Sequence, residues 1–216
     1  AGDDTIEGGV GNDNLSGDDG DDTFVYDSSA ADATGVDEVI AGGANDDTII
    51  VTGGTNAVDF SDDTITGIET LELTKKVDGT ADTNTQSLTM TDAQVDDLST
   101  INANGGDNIT ISDTMTSNML DGTVVNGTLE LKLTEQGATA AQALTLVENT
   151  MDDAADLLKV NATALTGDDT LTFDGSAETT ARVSVTGGDG NDSIVGSDAN
   201  LVDTISGGAG DDTIEG

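Results

Sequence analysis

A large apolar residue stands at every ninth position near the start of the chain, at Ile6, Leu15 and Phe24, and the same interval separates Ile205 from Ile214 near its end. Glycine, aspartate and asparagine fill the spaces between. One apolar residue per nine predicts very short strands joined by tight turns, since a strand needs only a few residues to send one side chain inward. From residue 62 the pattern changes. DDTITGIETLELT (62–74) alternates apolar and polar positions with the period of a strand. Further strand-like runs follow at SLTM (87–90), NITIS (108–112), TLELKL (128–133), ALTLVE (143–148), LLKVNA (157–162), DTLTF (169–173) and RVSV (182–185). Their starts lie roughly 12–20 residues apart, a spacing that suits stacked coils of parallel strands better than hairpins.

Helical periodicity is sparse. TDAQVDDLS (91–99) reads as a short helix, with Thr91 able to cap it and Val95 and Leu98 three residues apart. TAAQAL (139–144) and TMDDAADLL (150–158) are weaker helix candidates, the second competing with the strand at 157–162. Asn126-Gly127 offers a tight hairpin turn as an alternative to continued coiling. GGTNAVDFS (53–61) reads as little more than a turn.

Composition sharpens this picture. The 216 residues hold 44 Asp and Glu against 5 Lys and Arg, for a net charge of −39, and there is no His, Cys, Pro or Trp. So much like charge opposes compaction unless cations bind, and it makes nucleic acid and anionic membranes poor partners. No run of about 18 apolar residues exists to form a transmembrane helix, and no basic segment followed by an apolar one marks a signal peptide. Only Phe24, Tyr26, Phe60 and Phe173 are aromatic. A thin core of Ile, Leu, Val and Ala interleaved with Thr fits an elongated stack of coils. Without Cys there are no disulfide staples. Without His or Cys the usual transition-metal ligands and most general bases are missing, so the chain reads as a non-enzyme. All five cations, Lys75, Lys76, Lys132, Lys159 and Arg182, fall in the middle of the chain. Lys75 and Lys76 read as solvated surface charge.

The nonapeptides carry a motif. Residues 8–16 (GGVGNDNLS), 187–195 (GGDGNDSIV) and 207–215 (GGAGDDTIE) fit G-G-x-G-x-D-x-U-x, where U is large and apolar, and 17–25 (GDDGDDTFV) keeps the frame with one glycine lost. GSDANLVDTIS (196–206) is a unit with two extra residues. GGANDDTII (42–50) is degenerate, with Asn45 in place of the third glycine. These stretches resemble the calcium-binding repeats of RTX proteins, and GIETLELT resembles segments flanking such repeats in bacterial surface and S-layer proteins. The resemblance implies an all-β fold: a parallel β-roll or β-solenoid, two nonapeptides per coil, with calcium-binding turns and one or a few short helices in the middle. Calcium would sit between loops of successive coils, held by Asp carboxylates and loop carbonyls. The metal ligands it implies are Asp4, Asp13, Asp22, Asp46 or Asp47, Asp192, Asp203 and Asp212. Alternate units should stack, pairing Asp192 with Asp212 and Asp4 with Asp22. The expected organisation is a β-roll over 1–27, degenerate coils over 28–74, an irregular β-solenoid over 75–186 and a second roll over 187–216.

The octapeptide AGDDTIEG occurs twice, as residues 1–8 and 209–216. If copies follow one another with 209–216 standing as 1–8 of the next, units 187–195, 196–206, 207–215, 8–16 and 17–25 form one uninterrupted run, and Asp203 then pairs with Asp13 of the following copy. Further copies of the chain, in a covalent tandem or stacked head to tail, are the expected partners. The expected function is a calcium-dependent structural subunit outside a bacterial cell, in a filament, S-layer or giant adhesin, exported unfolded by type I secretion. The alternatives are a carrier segment of a secreted enzyme, for which neither HExxH nor GxSxG is present, and an adhesin binding module.

Overall fold

The computed structural model describes residues 1–28, 38–54, 56–116, 118–137 and 140–216. The first third of the chain carries β1 (Thr5–Ile6), β2 (Asn14–Asp19), β3 (Thr23–Asp27), β4 (Val39–Ala44), β5 (Thr48–Thr52), β6 (Ala57–Asp59), β7 (Thr64–Thr66) and β8 (Thr70–Glu72). The middle carries β9 (Ser87–Met90), α1 (Asp92–Asp96), β10 (Thr100–Ala103), β11 (Asn108–Ile111), β12 (Val124–Leu133), β13 (Ala141–Thr145) and β14 (Leu157–Asn161). The last part carries β15 (Thr170–Asp174), β16 (Arg182–Thr186), β17 (Ser193–Val195), β18 (Thr204–Ser206) and β19 (Thr213–Glu215).

These strands wind into a parallel β-solenoid. Every pairing between the strands named is parallel. One wall runs β1-β3-β5-β8-β10-β12, and a second runs β6-β9-β11-β12-β14-β16-β18. Shorter sheets, β2-β4-β7 and β13-β15-β17-β19, flank them. β12 belongs to both walls: Val124–Gly127 pairs with β10, and the rest pairs with β11 and β14.

The period-2 pattern sends one ladder of side chains inward from each wall. Ile6, Phe24, Ile49, Leu71, Ile101 and Val125 stack in register along the first. Val58, Leu88, Ile109, Leu131, Val160, Val185 and Ile205 stack along the second. Leu144, Phe173, Ile194 and Ile214 stack along β13-β15-β17-β19, and apart from Ile6, Ile205 and Ile214 at the ends the residues of these ladders are buried in one continuous core. Phe24, Phe60 and Phe173 lie fully inside it, and Tyr26 meets Phe60 edge to face at 4.9 Å. Such a core grows by stacking like on like, so a thin aliphatic supply of side chains suffices.

Several local expectations are corrected. Among the described residues α1 is the one α-helix. It has the capping box foreseen at Thr91: the Gln94 N–H donates to the Thr91 hydroxyl and the Thr91 N–H to Gln94 Oε1 at 2.8 Å. The helix proposed at 139–144 is instead β13 over its described part, because Gln142 and Leu144 point inward at strand spacing and β13 has β15 to pair with. Residue 139 lies outside the described residues, as do 29–37 of the degenerate coils. At 150–158 the strand prevails: Met151–Asp156 form turns and β14 begins at Leu157. Asn126-Gly127 makes no hairpin. Gly127 has φ +86 and lets β12 bend while continuing in the same direction. GGTNAVDFS is more than a turn, since its residues 57–59 are β6 with Val58 buried. Lys75 lies at the surface as expected, its side chain 58% exposed, and pairs with Glu72 at 3.5 Å.

Candidate metal sites in the turns

Many of the turns that lead into a strand carry an acid just before it, and that acid bonds to a neighbouring coil. The Asp4 N–H donates to Asp22 Oδ1 at 2.8 Å, Asp22 N–H to Asp47 Oδ1 at 2.8 Å, and Asp47 N–H to Glu69 Oε2 at 2.8 Å. On the other edge Asp13 N–H donates to Glu38 Oε2 at 3.3 Å, and Glu38 N–H to Asp63 Oδ1 at 2.9 Å. Near the C-terminus Leu171 N–H donates to Asp192 Oδ1 at 2.7 Å, and Asp192 N–H to Asp212 Oδ1 at 2.9 Å. One carboxylate oxygen per turn thus satisfies a backbone N–H that the ladder of strands leaves over.

The second oxygen divides the turns into two kinds. Asp13, Asp22, Asp47 and Asp169 each have Oδ2 buried with no hydrogen-bond donor. Asp22, Asp47 and Asp169 are no more than 1% exposed. A buried carboxylate oxygen without a partner is costly. Burial, together with the charges of Asp22, Glu69 and Asp21, pushes the Asp47 carboxyl above its ordinary range despite the N–H of Asp22.

Glycines sit beside the Oδ2 atoms of Asp13 and Asp22, and also beside that of Asp192, which accepts from Gly188 N–H at 2.8 Å. A methyl group at Gly17 would overlap Asp22 Oδ2 and lie 2.6 Å from the Gly42 carbonyl oxygen. At Gly187 it would overlap both Asp192 Oδ2 and the Gly207 carbonyl oxygen, and at Gly207 it would overlap Asp212 Oδ2. Gly8 faces Asp13 Oδ2 in the same way at 2.7 Å. In each case the aspartate follows the glycine by five residues, the spacing between the first glycine and the aspartate of the nonapeptide. The glycine's missing side chain opens a cradle, and what borders the cradle is hard oxygen.

A scan against protein families finds the RTX calcium-binding nonapeptide repeat in four copies, over residues 1–28 and 186–216. Both ends of the chain are RTX repeats. No curated protein and no solved structure matches the chain.

RTX nonapeptides bind calcium, and the RTX turns fit it. Calcium takes six to eight oxygens and accepts carbonyls as readily as carboxylates. Among the described residues no three acidic side chains converge on one point, so at an RTX turn carbonyls would complete the shell around one or two carboxylates. Asp13, Asp22, Asp192 and Asp212 stand at such cradles, and the expected stacks Asp4–Asp22 and Asp192–Asp212 are present. Asp4 itself is exposed. Of Asp46 and Asp47, Asp47 points inward, while Asp46 is exposed and its N–H donates to Asp21 Oδ1 at 3.2 Å. Asp203 is set apart by its unit's two extra residues: Ser197 gives it two hydrogen bonds and Val183 N–H a third, at 2.8–2.9 Å.

With the exception of Asp169, the middle solves the same problem without orphan carboxylate oxygens, and motif reading missed this. Asp107 receives N–H groups from Gln86 and Asn104, Asp156 from Gly127 and Asp153, and Glu178 from Met151, Thr180 and Ala181. Asp92 is held by the N–H and hydroxyl of Thr116. These acids are backbone caps, complete within the protein. The signal that could have found them is an Asp or Glu shortly before each strand-like run, which the loss of the glycine pattern obscured. Among the described residues no helix is long and apolar enough to cross a membrane.

Proposed function

We propose that the chain is a calcium-dependent structural repeat of an extracellular bacterial assembly, a filament, S-layer or giant adhesin, that folds and joins further copies of itself when calcium binds. The observation that carries this reading is the set of buried Oδ2 atoms at Asp13 and Asp22, in RTX repeats, with no donor from the protein. At a net charge of −39 the chain resists compaction in a calcium-poor cytosol, which suits passage through a secretion channel. RTX repeats occur in secreted proteins. Outside the cell, millimolar calcium meets sites of about 10⁻⁴–10⁻³ M affinity, and each site at tenfold excess adds about 1.4 kcal/mol to the folded state. Association with further copies is supported by the octapeptide shared by residues 1–8 and 209–216, which falls in register with the repeat.

The test is electron microscopy of native material with and without a calcium chelator, beside its intact mass. Fibres or sheets that fray on chelation are the expected result. Dispersed monomers in both conditions contradict assembly and favour the carrier segment or binding module. A mass near 21.6 kDa identifies assembled subunits, and a mass many times larger identifies one long chain.

A further inference from the structure

We infer that the outer face of the second wall, over β12, β14 and β16, holds a second copy of the chain side by side, with Lys132, Lys159 and Arg182 of one copy against a column of carboxylates at Asp3, Asp21 and Asp46 of the other. The inference rests on the assembly reading above, but it concerns a lateral contact and not the joining of copies end to end.

The face is set apart by its charge. Alternate positions of these strands turn away from the core, and the register lines them up in rows across the coils. The row through Glu130 and Lys159 and the row through Lys132 and Asn161 otherwise carry only Ser, Thr and Asn from β9 to β18. Arg182 lies one row over, level with Leu157 and Thr128. In a chain with 44 acids and 5 cations, three cations thus share these rows with Glu130 as their one acid. They stand one to a coil on three successive coils, and all three are partly exposed. Their side chains make no ion pair or hydrogen bond among the described residues. Glu130, beside Lys159 in its row, takes its hydrogen bond from the Asn161 amide instead, at 2.9 Å.

The opposite charge has the same arrangement. Asp3, Asp21 and Asp46 are exposed and stand one to a coil, just before β1, β3 and β5. They are held in line, since Asp21 N–H donates to Asp3 Oδ1 at 3.1 Å and Asp46 N–H to Asp21 Oδ1 at 3.2 Å. Both series climb by the spacing of paired strands, about 4.8 Å per coil, so two solenoids lying side by side match them rung for rung. The cations also step two residues along the strand from coil to coil, which the long stems of Lys and Arg take up. Exposed ion pairs are individually weak, so the contact holds where many copies engage at once. Within one chain the two series cannot meet. Three strand spacings, about 14 Å, separate β5 from β12 along the axis, and β1 and β3 lie farther still.

Zero-length carbodiimide coupling of the unmodified protein in millimolar calcium tests this, on an equal mixture of ordinary and isotope-labelled chains. Peptide mapping is expected to show Lys132 or Lys159 of one chain joined to Asp3, Asp21 or Asp46 of another. Links confined to the two ends of the solenoid, with none from Lys132 or Lys159, overturn the lateral contact and leave end-to-end assembly standing. Microscopy of the triple variant Lys132→Gln/Lys159→Gln/Arg182→Gln is expected to show single threads that have lost their side-by-side packing, with the parent's circular dichroism retained. Bundles or sheets like the parent's overturn the contact. A parent that stays monomeric and gives no such links overturns this contact and the assembly reading together.

Discussion

At the scale of single residues, the same acid does two jobs that differ only in what faces its second oxygen. Where a backbone N–H faces it, as at Asp107 and Asp156, the carboxylate is a cap and the coil closes unaided. Where a glycine cradle faces it and no donor does, as at Asp22, the second oxygen is left without a partner from the protein. Asp107 shows the cost of the first solution. Burial pushes its carboxyl above the ordinary range, against the N–H groups of Asn104 and Gln86, and the nearby Asp82 charge adds to the rise. A raised folded value means that the native state holds this proton more tightly than the unfolded chain does. Its contribution to stability is full below the unfolded value, about 3.9, and is lost as pH rises through the folded one. Asp82 works in the opposite sense. Burial opposes ionisation there, but bonds from Asn84, Thr52 and Gly53 outweigh it and hold the carboxyl low, so its contribution is lost as pH falls. Urea melts of Asp107→Asn across the acid range, with calcium saturating, are expected to show a shallower decline above about pH 4 than the parent's, Asp47, Asp96 and Asp192 being raised in the same sense and still present. The variant gives up one backbone hydrogen bond, at a cost of about 1 kcal/mol. An unchanged slope in the variant contradicts this assignment.

At the scale of the element, the strands follow from alternation and their neighbours from spacing. SLTM is β9 residue for residue, and α1 has the capping box its sequence spelled out. What local pattern could not reveal was where a coil supplies a waiting edge. Residues 141–145 became a strand because β15 lay alongside, a tertiary contact overriding local helical propensity. Asn126-Gly127 reads as a hairpin from its dipeptide alone. The stacked coils on either side of β12 instead use the glycine's positive φ to turn one strand from the first wall into the second. A methyl group at Gly127 would overlap the Ala103 carbonyl. Gly127→Ala therefore forces a left-handed conformation and a clash together, and is expected to destabilise the fold by about 1–3 kcal/mol, read as a lower urea midpoint. An unchanged midpoint would mean that β12 does not bend there.

For the molecule as a whole, the division between the two kinds of turn becomes a division of labour along the axis. The repeats, the calcium chemistry and the parallel roll were legible because nine-residue spacing and glycine placement are properties of the chain itself. The largely self-satisfied middle was not, since each of Asp92, Asp107, Asp156 and Glu178 finds a partner 21 to 29 residues away across coils, a distance at which no local motif exists. The middle also carries the five cations, and its buried acids other than Asp169 find donors for both oxygens or sit on backbone caps, whereas Asp13 and Asp22 in the turns of 1–28 do not. Chelation should thus loosen the ends of the solenoid before its centre. Hydrogen exchange followed by mass spectrometry, in millimolar calcium and after chelation, measures this most directly. The account predicts that amides of 1–28 and 186–216 lose protection when calcium is removed, while those of 87–162 largely keep it. Equal protection of the two ends with and without calcium would contradict it.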